Sequence, residues 1–496
     1  MRENAIRRLL SMLTLFVITA FLAVTAADAD LWGHLTFGRD IARSGIHRTD
    51  PYSFTSDRPW VNHEWLAELV MWRAYAIGGD AGLVTLKLLL IWAAGALLLV
   101  SWRAHHISPP WRDALLLATA LGVWPTLVTM RPQVFSLACF AVLLFVLVRA
   151  RDGERAWLAL LPPLFAFWVN VHGGWLVGAG VLATFVACSL VDRRLRAADR
   201  WALVIASLAA AFATLCNPYG IRMLALLAET VRPQRADILE WQSITALPGI
   251  TVALWMLPTA VAVAALVRNG RRRDDFAWPS TVHLSSIVIV ALLAAGGFRV
   301  ARLLGFYAAA VAFLLAPAVP PVAPPAHASL APARRRWAFA IAACALIVGT
   351  SVALVGRRVG MDGAWLPEPE AAEYVASHGV RGTMLTWFDY GEYAIWHFAP
   401  TIRVSMDGRR ETVYSQHLID LHFRIYRNEP GALDAVGRMD PDYAWLPSTL
   451  PVVPALESAG WRRAFTGPRS VILSRKFQPP AVTVRESSAR PAFPGE

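Results

Sequence analysis

The sequence predicts a mainly α-helical protein, a polytopic transmembrane bundle of about eleven spans with its N-terminus inside and an α/β domain at the C-terminal end. Three observations predict it. The 496 residues are 56% hydrophobic and 17% charged, too apolar for an ordinary water-soluble chain of this length. Apolar runs approaching the ~20 residues that a helical crossing needs recur through the first 357 positions. From about residue 362 the composition becomes that of a water-soluble domain.

In order, the runs are 6–27, 81–101, 113–129, 132–148, 157–170, 174–191, 201–216, 250–267, 279–296, 301–319 and 337–356. The first also has the pattern of a secretory leader, with Arg7 and Arg8 before it and "AVTAA" near its end. Its length and the charge pattern favour a retained span. In the fifth, Pro162 and Pro163 remove two amide donors, so a kink or break is expected there, bordering a cavity.

Arginine gives the sidedness. Arg2, Arg7 and Arg8; Arg103 and Arg112; Arg149, Arg151 and Arg155; Arg193, Arg194, Arg196 and Arg200; Arg268 and Arg271 to Arg273; and Arg334 to Arg336 occupy every second connection. The positive-inside rule makes these connections cytoplasmic and leaves everything after the eleventh run outside, in a bacterial inner membrane. The net charge of +12 is spread over these anchors, so no nucleic-acid footprint is read from it. Cys139, Cys188, Cys216 and Cys344 lie inside or at the ends of apolar runs and offer neither a disulfide framework nor metal-ligand spacing.

The opposite connections are of another kind. They read "DADLWGHLTFGRD", "RTDPYSFTSDRPWVNHEWLAEL", "MRPQ", "NVHGGW", "CNPYGIRML", "ILEWQS" and "GGFRVAR". His, Asn, Asp, Glu, Trp and isolated Arg sit there beside Gly and Pro turns, so the working face is the outer one. Within the first external loop, "NHEWLAELVMWRAYAI" (62–77) reads as an interfacial helix capped by Asn62, with Trp65, Leu69, Trp72 and Ala76 on one stripe. The expected domains are 1–357 for the membrane part, with 28–80 as its first external loop, then 362–478 for the soluble extracytoplasmic domain. The Pro-, Ala- and Ser-rich residues 479–496 are expected to be disordered. Strands are expected at 382–388, 402–406 and 443–448, alternating with helices at 368–378, 389–397 and 412–427. "RRAFTG" and "SVILSR" close the domain as a hairpin.

Asp28 and Asp30 lead the candidate residues. Carboxylates at i and i+2 with His34 nearby can bind a divalent cation such as Mg or Mn, or supply a general base; a helix cap or an ion pair with Arg39 is the competing reading. His63 and Glu64 can reach the same site or merely start the helix. Asn170 and His172 face a cavity or bridge neighbouring helices. Arg131, Arg299 and Arg302 stand at outer ends of spans, where a guanidinium suits a phosphate, with snorkelling to lipid headgroups as the alternative. In "WFDYGEYAIW" and "MDGRRETVY", Asp389, Asp407 and Arg409 fall at strand ends, and turn geometry is the preferred account of Asp407 and Gly408.

The ordered series from "DADLWGHLTFGRDIARSGIHRTDPYSFT" through "PWVNHEWL", "RPQVFS", "FWVNVHGGWLVG", "NPYG" and "EWQS" to "DYGEY" and "DGR" resembles a bacterial branch of the GT-C superfamily of membrane glycosyltransferases. That superfamily includes protein O-mannosyltransferases and the aminoarabinose transferase acting on lipid A. The resemblance spans nearly the whole chain. It implies transfer of a sugar from a polyprenyl-phosphate carrier to a glycan, lipid or protein acceptor on the outer membrane face, with Asp28 and Asp30 matching the acidic catalytic motif. Two positions depart from the pattern: Trp-Trp becomes Trp32-Gly33, and Gly-Gly-Tyr becomes Gly391-Glu392-Tyr393. The rival functions are a transporter or flippase of lipid-linked saccharides and a non-catalytic envelope scaffold that binds glycans. Transporters place ionisable groups near mid-membrane and show inverted repeats, and neither feature is seen here.

Overall fold

A computed structural model describes all residues except 1, 105–106, 108, 193–194, 231–237, 271–282, 316–332, 362–364, 477–479, 487–492 and 495–496. Of the arginine anchors, Arg193, Arg194 and Arg271 to Arg273 lie outside the described residues, as do the side chains of Arg2, Arg7, Arg8 and Arg334 to Arg336. The chain is mostly helical with one small C-terminal sheet. It divides into two compact units, Met1–Thr25 with Leu83–Gly220 and Arg232–Arg357, and Ala26–Gly82 with Ile221–Val231 and Arg358–Glu496.

The first unit is helical. It holds α1 (Arg2–Ala23), the second part of α3 (Trp65–Ala104), α4 (Pro109–Leu127), α5 (Gln133–Arg151), α6 (Leu161–Trp168), α7 (Trp175–Val191), α8 (Ala197–Ala213), α10 (Gly249–Gly270), α11 (Leu284–Arg299), α12 (Leu304–Ala310) and α13 (Ala333–Leu354). Where their residues are described, each of the eleven apolar runs falls mainly on helical backbone. Among the described residues, Trp65–Arg103 and Gln133–Arg151 are long and apolar enough to cross a membrane; Trp175–Val191 and Leu284–Arg299 are among the shorter apolar helices. α5 is buried on nearly every face, which is why it reads as continuous Leu, Val and Phe rather than as a stripe.

Pro162 and Pro163 do not break a helix. A 3₁₀ turn, Arg155–Leu160, precedes them and α6 starts at Leu161, so the prolines occupy the first turn, where amide donors have no intrahelical acceptor anyway. Lys87, one of only two lysines in the chain, is fully buried in this apolar unit. Its ammonium donates to the carbonyls of Val24 and Leu127, each at 3.0 Å, at the C-terminal ends of α1 and α4, where carbonyls lack amide partners.

The second unit is built on a six-stranded sheet of order β2-β1-β3-β5-β4-β6. The strands are β1 (Gly382–Thr386), β2 (Ile402–Val404), β3 (Tyr443–Pro447), β4 (Arg462–Thr466), β5 (Ser470–Ser474) and β6 (Val482–Thr483). β1 runs parallel to β2 and β3, as expected where helices make the crossovers, and β5 is antiparallel to β3 and β4. α14 (Pro369–Ser377), α15 (Gly391–Phe398) and α16 (Gln416–Tyr426) match the three expected helices; α17 (Ala432–Met439) and α18 (Val452–Ser458) are additional. Leu385, Ala444, Leu446, Val471 and Leu473 form the core with residues of α16 to α18. The composition of the last 18 positions gives no sign of β6, nor of Pro494, whose carbonyl accepts a 2.8 Å bond from the Trp32 indole.

The first-loop segment joins this unit through backbone pairing. Val404 donates to the Tyr52 carbonyl at 3.0 Å and Phe54 to the Val404 carbonyl at 3.1 Å, extending the sheet beyond β2. Ala27 donates to Gly360 at 2.7 Å. α2 (Asp30–Ser44) packs its buried Leu31, Trp32, Leu35 and Phe37 inward and lies on α15. α3 breaks at Gly79 (φ 55°, ψ −142°), so the residues before the break belong to this unit. There the buried side chains are Ala67, Glu68 and Met71, while Trp65, Leu69 and Trp72 are half-buried and Ala76 is exposed.

Candidate active site

The polar residues singled out in the sequence gather into two clusters, one in each unit. In the first unit, Arg131 and Arg302 both donate to Glu240 Oε1, at 3.2 and 2.7 Å. The Arg302 guanidinium lies 5.7 Å from the Trp241 ring centroid, and Arg302 Nη2 lies 3.5 Å from His172 Nε2. The tautomer of His172 follows from its other nitrogen. Nδ1 accepts from the Gly174 amide at 2.9 Å and sits 2.7 Å from the Ser136 hydroxyl, whose oxygen already accepts from the Trp168 indole. With Nδ1 accepting, the neutral ring carries its proton on Nε2, so His172 Nε2 and Arg302 Nη2 are two donors facing one another.

Four of the sequence motifs are thereby brought together: "RPQ", "NVHGGW", "EWQS" and "GGFRVAR". Gln242 and Ser243 of "EWQS" bind the last of these directly, through Ala301 N–H to the Gln242 carbonyl (3.0 Å) and Ser243 Oγ to the Phe298 carbonyl (2.9 Å). Asn170 bridges backbone instead, donating to the carbonyls of Ala166 and Cys216, each at 2.8 Å, which ties "NVHGGW" to "CNPYG". Arg299 is exposed and joins none of these pairs.

In the second unit the balance is reversed. Arg409 is fully buried, donating to Asp407 (2.8 and 2.7 Å) and to Asp50 (2.7 and 3.0 Å), and its guanidinium lies 4.9–5.2 Å from the ring centroids of Phe37, Tyr52 and Trp60. Tyr414 donates to Asp407 at 2.7 Å. The expected turn is present as well, with the Arg409 amide donating to Asp407 Oδ1 at 3.0 Å. Burial opposes ionisation of Asp407, but the guanidinium outweighs it and holds the carboxyl below its usual value.

Beside this clamp lie Asp30 and Glu392. A Cβ on Gly408 would stand 2.3 Å from Asp30 Oδ1 and 2.8 Å from Glu392 Oε1, so both carboxylates press on one glycine. A Cβ on Gly33 would stand 2.0 Å from Glu392 Oε2. The two departures noted in the sequence are therefore one feature, because the glycine at 33 admits the carboxylate at 392. Glu392 is buried, and its Oε2 has no hydrogen-bond partner among the described residues. Burial, with the charges of Asp30 and Asp407, pushes its carboxyl well above the usual carboxylate range. Asp28 and Asp30 are half-buried, at the entry and first turn of α2.

His34, His63 and Glu64 are also neighbours. His34 Nδ1 lies 3.3 Å from Glu68 Oε1 and 4.0 Å from Glu64 Oε2, and His63 Nε2 lies 3.5 Å from Glu64 Oε1. Asn62 does cap, accepting from the Glu64 amide at 3.0 Å, and its amide group also donates to Glu68. Burial alone would lower the His34 imidazole; the bond to Glu68 and the charges of Glu64, Glu68 and Asp30 outweigh it and raise it. Glu68 and Glu240 are the residues sequence reasoning missed as site members. Glu68 follows Glu64 at i+4, a spacing that places both on one helical face.

No protein-family model and no curated protein matches the chain. Solved structures do, and the fold is that of the GT-C glycosyltransferases. ArnT from Cupriavidus metallidurans in the apo state matches with a TM-score of 0.54 at 12% identity, over 95% of this chain and 98% of that one. The archaeal oligosaccharyltransferase AglB from Archaeoglobus fulgidus, in complex with an inhibitory peptide and a dolichol-phosphate, matches at 0.53 and 12%, over 88% and 69%. The arabinofuranosyltransferase AftD from Mycobacteria matches at 0.50 and 17% over 96% of this chain, which spans 40% of that protein's length.

Proposed function

We propose that the chain is a multi-pass membrane glycosyltransferase that moves a sugar from a polyprenyl-phosphate donor to an acceptor at the outer face of a bacterial inner membrane. The observation that carries the reading is the convergence of Arg131, Arg302 and the His172 Nε2–H donor on the outer-loop motifs, a set that suits a phosphate. The dolichol-phosphate in the AglB complex supports a lipid-phosphate donor here. So does an apolar cavity of about 110 Å³ in the first unit, lined by residues such as Leu15, Ile18, Leu88, Ile91 and Leu116, which offers room for part of a lipid tail.

In the reaction, the acceptor oxygen forms a bond to the anomeric carbon as the bond to the carrier phosphate breaks. The family resemblance gives the role of base for the acceptor proton to Asp28 or Asp30. Polyprenyl phosphate leaves as an anion, and its developing charge is met by the guanidiniums and the imidazole N–H. Glycan, lipid and protein acceptors all present a suitable nucleophile.

The test is to incubate the purified protein with a panel of polyprenyl-phosphate sugars and follow release of polyprenyl phosphate. Turnover that is lost in folded Asp28→Asn and Asp30→Asn proteins supports the assignment. Movement of intact lipid-linked sugar between leaflets without cleavage would replace it with the transport reading, and glycan binding without either would leave a scaffold.

A further inference from the structure

His34, Glu64 and Glu68 each offer one ligand atom, and these three atoms lie within 4.8 Å of one another, from α2, the turn before α3 and the first turn of α3. We propose that these three atoms bind one divalent transition-metal ion of the zinc or manganese type. For metal–ligand bonds of about 2.1 Å, neighbouring donors in a tetrahedral site stand roughly 3.4 Å apart. The 3.3 and 4.0 Å separations from His34 to the two glutamates need only a small closure to reach that spacing. One imidazole with two carboxylates favours zinc or manganese over magnesium, which prefers an all-oxygen octahedral shell.

The surroundings are organised for it. The Asn62 amide group donates to Glu68 Oε2, turning the other oxygen toward His34, which is the role an outer-shell partner plays at a metal centre. Gly38 of α2 lets the backbone approach the Glu68 carbonyl, where a Cβ would meet it at 2.1 Å, so the ligands come from two tightly seated helices. His34 and Glu68 are buried while Glu64 keeps 16% of its side chain exposed, leaving an entry path and positions for water or a phosphate oxygen. Among the described residues, these three form the group of three or more such side chains whose ligand atoms converge.

The inference does not rest on glycosyl transfer, and its readout is binding. The full-length protein in detergent is stripped with a chelator, titrated with Zn²⁺ or Mn²⁺, and its bound metal measured by elemental analysis after gel filtration. One equivalent per chain is expected, with His34→Gln and Glu64→Gln each weakening binding at least tenfold. Glu64 is the most exposed ligand, so its variant is the one expected to stay folded, and its unfolding temperature checks this. In the Mn²⁺ complex, nitrogen coupling in the electron paramagnetic resonance spectrum should vanish in His34→Gln. Less than a tenth of an equivalent bound to the wild type, or undiminished binding in both variants, would overturn the site.

Discussion

The two polar clusters are built from similar parts with opposite imbalance. Around Glu240, the guanidiniums of Arg131 and Arg302 share one carboxylate oxygen and Arg302 also reaches His172, so the named side chains are mainly cationic. Around Arg409, the carboxylates of Asp50, Asp407 and Glu392 face one guanidinium, so the named side chains are mainly acidic. The first is open to solvent, its arginine side chains 21% and 26% exposed, while Arg409 is 5% exposed.

The largest effect should come from erasing one side of that contrast. Asp30→Asn is expected to lower turnover by about 10²–10⁴-fold, the usual worth of a positioned general base, with little change in unfolding temperature. Arg302→Ala should cost about 10²–10³-fold in kcat, read from polyprenyl phosphate release; restoration by Arg302→Lys would show that point charge, rather than the planar fork, suffices. An unchanged kcat in Arg302→Ala would remove the anion from the first cluster.

Stability separates the clusters further. Arg409→Met strands two buried carboxylates and is expected to destabilise the second unit by about 3–5 kcal/mol, measured by chemical unfolding, whereas Arg131→Met at the open cluster should cost under about 1 kcal/mol.

The smallest effect concerns Glu392. Its folded-state pKa is raised above the ordinary 4.5, so its contribution to stability is full below that pH and is lost as pH rises through the folded value. Asp30, Asp407, Arg409 and Glu68 are the charges that face it. Glu392→Gln should therefore flatten the decline of the unfolding temperature between pH 5 and 8 relative to the wild type, and His34, also raised, supplies the part of the decline that remains. A variant that parallels the wild type across that range would mean the Glu392 proton is not retained.

Much of this was legible in the chain. Short apolar runs between helical stretches mark β1 and β3, the expected closing hairpin marks β5, and the Asx turn at Asp407 follows from the residue types alone. Glu68 was hidden because residues 62–77 were read for their apolar stripe, yet the face turned to protein is the one carrying Glu68. Pro162 and Pro163 misled for a related reason, since the same residues interrupt a helix or begin one according to where the preceding turn ends. Glu240 and Glu392 could not have been placed by spacing. Glu240 meets Arg302 62 residues on and Glu392 meets Gly33 from the far end of the chain, and a one-dimensional pattern does not encode which distant glycine yields room for which carboxylate.

The seating of Glu392 against Gly33 couples two positions far apart in the chain. A tryptophan at 33 would collide with the glutamate, and a glycine at 392 would leave a void over the bare helix, so either change alone is harmful while the double change Gly33→Trp with Glu392→Gly relieves the collision. The two positions form an epistatic lock.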